Sequence, residues 1–489
     1  MHKQPLWTFD EIATATKAHV LAHDGAVPIN SAQHVSGVSI DTRSLNPGDL
    51  FVALSGDQSD GHQFLDQAIS AGASGVLVEG GHARVLSLID QKSPIAIFCV
   101  TDVFEALWDL ARAARARSTA KIIAVTGSVG KTSVKESLKA CLAHSGPTHA
   151  AVKSYNNHIG VPLTLARMPR DVSFGVFELG MNHAGEISLL SRLVQPHVAI
   201  ITAIGAAHIE ALGSLEAIAD AKAEIFDGLI GERIAILPAD SSHYDQLRLA
   251  AEKQNCHIVS FGQMSEADTG PIKMRKHPTC SCVDAQVQGR PMTYKVAQPG
   301  DHHISNSLAV LTAVNCLGAD LALAGLELAH VEALSGRGQR HVIHFNGLSF
   351  ILVDESYNAN PTSMRAAIST LANTPKNNGG RQIIVLGDMA ELGSMATQLH
   401  GELAAFVNDQ SIDLVYTCGT HMASLNANLE PTKRGVHVTQ PLELQKILEA
   451  ELRDGDVVMV KGSNSSRMGL VVDHFLNYSE DNSQKELGA

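Results

Sequence analysis

Long apolar runs are missing from this sequence. No stretch approaches the roughly 20 consecutive apolar residues of a membrane-spanning helix, so membrane insertion is not expected. The N-terminus, MHKQPLWTFDEIA, has no apolar core of signal-peptide length. Cysteines are few: seven, scattered and odd in number, as expected of a chain kept in the reducing cytoplasm rather than of a disulfide scaffold. Cys280 and Cys282 lie too close together for an ordinary disulfide, have no second ligand pair nearby, and read as strand residues. Positive charge is in deficit, with 37 Lys and Arg against 50 Asp and Glu and a net charge of −13. That argues against nucleic acid as the main partner, and the group Arg112, Arg115, Arg117 and Lys121 reads as a solvated helix face. Aromatic residues are scarce at 4%, within an otherwise ordinary globular composition of 45% hydrophobic and 18% charged residues.

What is present begins with AVTGSVGKTSVKES, residues 124–137. It nearly matches the phosphate-loop pattern G-x-x-x-x-G-K-[ST], but the first glycine would fall on Val125. The context supports a working loop. KIIAVTG is a β-branched run that reads as a buried strand. KTSVKESLKACLAH follows with Val134, Leu138 and Leu142 at helical spacing. A strand, a glycine turn and a helix in that order is the setting such a loop requires. Gly127 and Gly130 let backbone N–H groups turn inward at the positive end of the helix. Lys131 supplies a point charge for the phosphates, and Thr132 a hydroxyl for Mg²⁺.

The length of 489 residues allows three domains, and the pattern suggests 1–98, 99–333 and 334–489. The first holds short strands and two helical patterns, with Asn46-Pro47-Gly48 as a turn. The second alternates strands VSFGVFELG, PHVAIITAIG, ERIAILP and CHIVSFG with helices, implying a mostly parallel sheet covered on both faces. CSCVDAQVQGRPMTYKV reads as a hairpin turning at Gln288-Gly289-Arg290-Pro291. The third repeats the alternation in LSFILVD, RQIIVLGD, DLVYTCG and DVVMVKG. It is Rossmann-like in rhythm but lacks G-x-G-x-x-G. A polar tail follows Asn477. The expected class is α/β throughout.

A triphosphate needs Mg²⁺, which prefers oxygen ligands. Glu178 ends the strand FGVFE, and parallel sheets place ligand sites at the carboxyl ends of strands. His208 follows another carboxyl end, in AAHIEALGS. Lys222 lies on the apolar stripe of SLEAIADAKAEIFDGL, four residues from both Ile218 and Phe226. An inward lysine is costly unless paired or neutralised. Snorkelling, an ion pair, and a deprotonated amine that captures CO₂ as a carbamate each answer that cost.

In order along the chain, AVTGSVGKTS, FELGMNHAGEI, AAHIEALGS, DAKAEIF, GDHHISNSLAV, GRGQRH and VDESYNANPTSM resemble the motifs of the Mur ligases. SIDTRSLNPGDLFVALSGDQSDGH resembles that family's UDP-sugar domain. The resemblance covers nearly the whole chain and accounts for Val125, because the family uses the shorter loop T-G-x-x-G-K-T. It implies ATP and Mg²⁺ as cofactors, with the nucleotide held by Thr126, Gly127, Ser128, Val129, Gly130, Lys131, Thr132 and Ser133. Asn306 would touch the adenine, and Arg337 and Asp354 would close over the nucleotide. Thr132, Glu178 and His208 would hold the metal. Lys131, Glu178, His208 and Lys222 form the implied catalytic set, with Lys222 matching a lysine carbamylated in several members. Thr42 and Arg43 fall in the uridine-nucleotide stretch, and Asn156 and Asn157 where relatives contact the nucleotide-sugar peptide. The sequence departs at His303, where the family usually has Asn, and at His158, where some relatives carry Glu.

SYNNHIGVPLTL, DESYNANP and VLGDMAELG resemble the branch of the family that joins D-Ala-D-Ala to a UDP-MurNAc-tripeptide. The implied reaction phosphorylates a carboxylate to an acyl phosphate, which the dipeptide amine then attacks, and a monomer would suffice for it. A diamino-acid-adding relative and folylpolyglutamate synthase are the rivals within the fold. The first is disfavoured by DESYNANP. The second is disfavoured by the roughly 120 residues, including SIDTRSLNPGDLF, that precede the loop. A nucleotide-gated binding switch without ligase activity is the rival of another class, and it would need neither an inward Lys222 nor a UDP domain.

Overall fold

The computed structural model describes residues 5–21, 33–56, 59–83, 85, 95–152, 154–376 and 379–487. Of the N-terminal stretches quoted above, residues 1–4, 57 and 58 lie outside this set. The central feature is a nine-stranded sheet. Its spatial order is Arg290–Val296, Ser281–Val287, Thr269–Lys276, His257–Phe261, Ile234–Pro238, Val198–Ile201, Lys121–Thr126, Phe174–Glu178 and Thr148–Ala150. Neighbours pair in parallel from Thr148–Ala150 as far as Thr269–Lys276, and the last two pairings are antiparallel.

Period-two alternation puts both faces of the central strand to use. Ile123 and Val125 pack in one apolar cluster with Val134, Leu138 and Leu142 of the helix Lys131–Ala143 and Ile304 and Leu308 of the helix Asp301–Cys316. Ile122 and Ala124 face a second cluster with Ile187, Leu190, Ile218 and Phe226. Each fully buried aliphatic side chain here contributes about 1.5–3 kcal/mol of transfer free energy. A rigid, doubly covered sheet is what holds the loops at its carboxyl edge.

A five-stranded sheet precedes it, in the order His19–Leu21, Ala96–Val100, Gly75–Glu79, Asp49–Val52, Gly37–Ser39, parallel except for the first edge strand. A six-stranded sheet follows it, in the order Gln339–Phe345, Leu348–Glu355, Val457–Lys461, Gln382–Gly387, Leu414–Cys418, Arg434–Val438. Only its first pairing is antiparallel. All seven cysteines are free thiols. Among the described residues no helix is long and apolar enough to cross a membrane.

The structure corrects several sequence expectations. The hairpin turns on Gln288 and Gly289 alone, both at positive φ (45° and 82°), and Arg290 and Pro291 already belong to an edge strand, where a missing N–H is tolerated. The strands Thr269–Lys276, Gln339–Phe345 and Arg434–Val438 were not anticipated. A two-residue turn at Asn346-Gly347, again with both φ positive, marks one of them, since this dipeptide suits a type I′ turn. The polar tail after Asn477 continues the helix Gly469–Leu487. The basic group near residue 115 is only partly a solvated face, since Arg112 and Lys121 are exposed but Arg115 is not. Arg115 is buried, and its Nε and Nη2 donate to the carbonyls of Val194 and Gln195 at the end of the helix Glu186–Val194. Lys121 Nζ donates in the same way to the Leu317 carbonyl. Both side chains satisfy helix-end carbonyls that would otherwise lack partners. Arg117 lies 3.5 Å over the ring of Trp7.

Candidate active site

At the carboxyl edge of the central sheet the strand Lys121–Thr126 gives way to the loop and then to the helix Lys131–Ala143. Two glycines make the turn possible. Gly127 has φ +149° and Gly130 φ +88°. A Cβ would stand 2.0 Å from Thr202 Oγ1 at the first and 2.6 Å from Asn306 Oδ1 at the second. The helix has no side-chain cap, so its first-turn N–H groups are left for an anion. The loop is braced from behind. The N–H of Ser128 donates to the Ala203 carbonyl, its hydroxyl to the Gly205 carbonyl, and the Thr202 hydroxyl to the Val129 carbonyl.

The loop borders a cavity of about 620 Å³ between the nine-stranded and six-stranded sheets. Ser128, Val129, Gly130, Lys131, Thr132 and Ser133 line it, together with Asn156, Asn157, Glu178, His208, Asn306 and Arg337. Residues far apart in sequence thus face one space. Thr132 donates its hydroxyl hydrogen to Glu178 Oε2 at 2.9 Å, and Asn156 Nδ2 donates to Glu178 Oε1 at 2.8 Å. Lys131 Nζ donates to the Gly127 carbonyl at 2.6 Å. Burial pulls its amine below the usual lysine range, against the opposing pull of Glu178. Asn157 Oδ1 accepts from the N–H groups of Ile159 and Gly160. A buried carboxylate and a hydroxyl bonded to it suit a hard cation, and His208 adds a nitrogen on the same cavity.

His208 has φ +62°, a conformation costing about 1–3 kcal/mol in a residue with a Cβ and found preferentially at functional sites. Its Nδ1 lies 2.5 Å from Glu391 Oε2, and that bond holds the Glu391 carboxyl below its usual range.

Lys222 ends the helix Leu215–Ala223, and Phe226 sits in a following 3₁₀ turn rather than in the same α-helix. The lysine is 1% exposed. Among the described residues its amine has one polar side-chain contact, Met181 Sδ at 3.9 Å. Burial, and then Lys131, hold its amine well below the usual lysine range. Among the described residues Lys222 has no carboxylate partner, so of the readings open for it the ion pair is not supported.

The remaining candidates do not line the cavity. Thr126 is buried at the strand end. Asp354 is buried, and its carboxylate accepts from the Gly336 N–H at 2.7 Å and from the Ser356 N–H and hydroxyl. It therefore shapes the turn that carries Arg337, whose guanidinium lies 4.1 Å over the Tyr357 ring. Thr42 donates to Gln67 Oε1, and Arg43 is exposed and paired with Asp41. A smaller recess beside the main cavity is lined by Ser133, Ser137, Gln298, His303, Asn306 and Arg337. The His303 ring sits 4.0 Å from that of His302.

Sequence reasoning missed Glu355, Lys461 and Glu391. Lys461 is buried in the cavity wall and donates to Glu355 Oε2 at 3.2 Å and to the Asn358 carbonyl at 2.9 Å. Both end parallel strands of the six-stranded sheet, so the carboxyl-end rule that found Glu178 could have found them. In the five-stranded unit, Asp60, His62 and His82 have the spacing of metal ligands. His62 Nε2, however, accepts the Glu79 N–H at 3.0 Å while Nδ1 faces Asp60 at 2.7 Å. Both nitrogens are used, and the tautomer this requires leaves none for a metal.

Comparison with known proteins finds relatives along most of the chain. Residues 34–97 match the Mur ligase family catalytic domain, 125–314 the Mur ligase middle domain, and 336–464 the Mur ligase glutamate ligase domain. The UDP-N-acetylmuramoyl-tripeptide–D-alanyl-D-alanine ligase of Escherichia coli is 35% identical, over 90% of this chain and 93% of that one. The crystal structure of MurF from Acinetobacter baumannii superposes with a TM-score of 0.82 at 28% identity, over 98% of this chain and 100% of that one. MurF ligase from Thermotoga maritima in complex with ADP does so with 0.74 at 25% identity, over 91% and 98%. With the loop, the carboxylate and the three α/β units in place, this chain belongs to the Mur ligase family.

Proposed function

We infer that the chain is an ATP-dependent, amide-bond-forming ligase of peptidoglycan synthesis that joins D-alanyl-D-alanine to UDP-N-acetylmuramoyl-tripeptide. The observation that carries this reading is near full-length identity at 35% to a relative bearing that activity's name, combined with a cavity faced by both the phosphate loop and the C-terminal sheet. Two anions, the tripeptide carboxylate and the γ-phosphate, must meet. Lys131 and Arg337 face that space and would offset their repulsion. Phosphate is transferred to the carboxylate, ADP leaves, and the dipeptide's neutral amine then attacks the acyl phosphate and expels phosphate. The acyl phosphate hydrolyses readily, so walls contributed by the C-terminal sheet serve to exclude water.

Mg²⁺ held by Thr132, Glu178 and His208 would neutralise charge on the triphosphate. Asn306 would contact the adenine, Thr42 and Arg43 the uridine nucleotide, and Asn156 and Asn157 the sugar peptide. We read Lys222 as a carbamate site. In its neutral form the amine would add to CO₂, forming an N–C bond and releasing a proton to solvent, and the carbamate would offer oxygen donors to a cation. The enzyme would act in the cytoplasm as a monomer.

An acceptor screen tests the reading. D-Ala-D-Ala, D-alanine, L-Ala-L-Ala and a diamino acid are each supplied with ATP and the UDP-tripeptide, and phosphate release and product mass are followed. D-Ala-D-Ala should be preferred by orders of magnitude, because a site built for the second residue loses those contacts with a shorter ligand. A better turnover with D-alanine or a diamino acid would remove the dipeptide assignment.

A further inference from the structure

We propose that Glu391 is a positioning residue that sets the His208 ring for metal ligation, so that the metal site is completed only when the C-terminal sheet packs on the central one. The proposal rests on the reading of His208 as a magnesium ligand. The two residues come from different units. His208 follows the central strand Val198–Ile201, and Glu391 follows the strand Gln382–Gly387 of the six-stranded sheet. Their side chains meet at 2.5 Å through His208 Nδ1. A carboxylate can only accept, so a hydrogen shared across this contact belongs to Nδ1, and in the neutral ring Nε2 then keeps its lone pair for a ligand. His208 lines the cavity and Glu391 does not. A carboxylate behind a ligating imidazole is the arrangement that fixes tautomer and ring orientation in metal sites.

The backbone around the pair is arranged to hold this contact. His208 and Glu391 both have φ +62°, and each is held there by the other's unit. The Glu210 N–H donates to the Glu391 carbonyl at 3.3 Å. Gly393 packs so closely on Glu210 that a Cβ there would lie 3.0 Å from Glu210 Cγ. Ile209 packs against apolar clusters on both sides of the interface. The Glu391 side chain is 56% exposed, so as a surface contact it adds little to stability. The geometry it imposes on His208 is the effect with consequences.

The test uses Mn²⁺ as a paramagnetic stand-in for Mg²⁺, titrated by electron paramagnetic resonance into the full-length protein saturated with ADP. Glu391→Ala and His208→Ala should each weaken Mn²⁺ binding about tenfold or more. Glu391→Gln, whose amide oxygen still accepts from Nδ1–H, should stay within about twofold of the parent. Imidazole ¹⁵N shifts should report a single Nδ1–H tautomer in the parent and a mixture in Glu391→Ala. Unchanged Mn²⁺ affinity in Glu391→Ala beside a weakened His208→Ala overturns the positioning role, as does a Glu391→Gln protein as weak as Glu391→Ala. Unchanged affinity in His208→Ala removes the ligand reading itself, and this proposal with it.

Discussion

Thr132 donates its hydroxyl hydrogen to Glu178 Oε2 across 2.9 Å, tying the first turn of the loop helix to the end of the adjacent strand. The two strands run in register, with Glu178 opposite Val125, so the contact follows from sheet pairing rather than from chain proximity. Glu178→Gln should keep the fold while weakening Mg²⁺-dependent ADP binding at least tenfold, with metal-free binding little changed. Calorimetric titration of ADP with and without Mg²⁺ checks this. Equal Mg²⁺ enhancement in parent and variant would falsify the ligand role.

Lys131 donates to the Gly127 carbonyl, a bond that a phosphate would compete for. Lys131→Ala should reduce kcat by about 10²–10³-fold, the usual loss when one donor to developing charge is removed. Its melting temperature should move by only a few degrees. Near-parental turnover in the folded variant would exclude the loop from catalysis.

Lys222 offers a pH signature. Burial holds its folded-state pKa well below the ordinary lysine value. Between the two values the unfolded chain binds more protons than the folded one, so stability rises with pH across that window. Below it the burial cost is fully present. In CO₂-free buffer at neutral pH, Lys222→Met should therefore melt a few degrees higher than the parent while losing activity. Lys222→Ala should be inactive and partly rescued by short carboxylates. A lower melting temperature for Lys222→Met, or an active Lys222→Ala enzyme, would contradict this account.

Asp354 acts at one remove from the cavity, through the Gly336 N–H and the turn bearing Arg337. Asp354→Ala should raise the KM for ATP through a displaced Arg337, and should also destabilise the C-terminal sheet by about 1–3 kcal/mol as buried donors lose their acceptor. Asn360→Ala should cost about 1 kcal/mol, since Asn360 caps the helix Pro361–Ala372 with a reciprocal Ser363 bond. Urea titration separates the two from purely kinetic variants.

Asn360 Nδ2 also donates to the Ser128 carbonyl at 3.4 Å, a direct tie between the C-terminal unit and the phosphate loop. If that unit closes as a lid, small-angle scattering should show the radius of gyration falling when a non-hydrolysable ATP analogue and the UDP-substrate are both bound. An unchanged radius would mean that the closed arrangement exists without ligands.

Much of the site's local geometry was legible in the residue order, because it depends on local backbone. Gly127 and Gly130 between a β-branched run and a helical repeat define the loop wherever they occur. Glu178 at a strand's carboxyl end is placed by the parallel sheet that the alternation implies, and the inward position of Lys222 follows from helical spacing. What the sequence could not determine are contacts between segments far apart in the chain. His208 meets Glu391 across 183 positions, Asn360 meets Ser128 across 232, and Lys461 turns inward onto Glu355 across 106. The burial of Arg115, which looked solvated on its own helix, is decided by a helix end 79 residues away. Local periodicity specifies which face of an element turns inward. Only the packing of one sheet against another specifies what that face meets, because those contacts depend on the relative placement of whole elements.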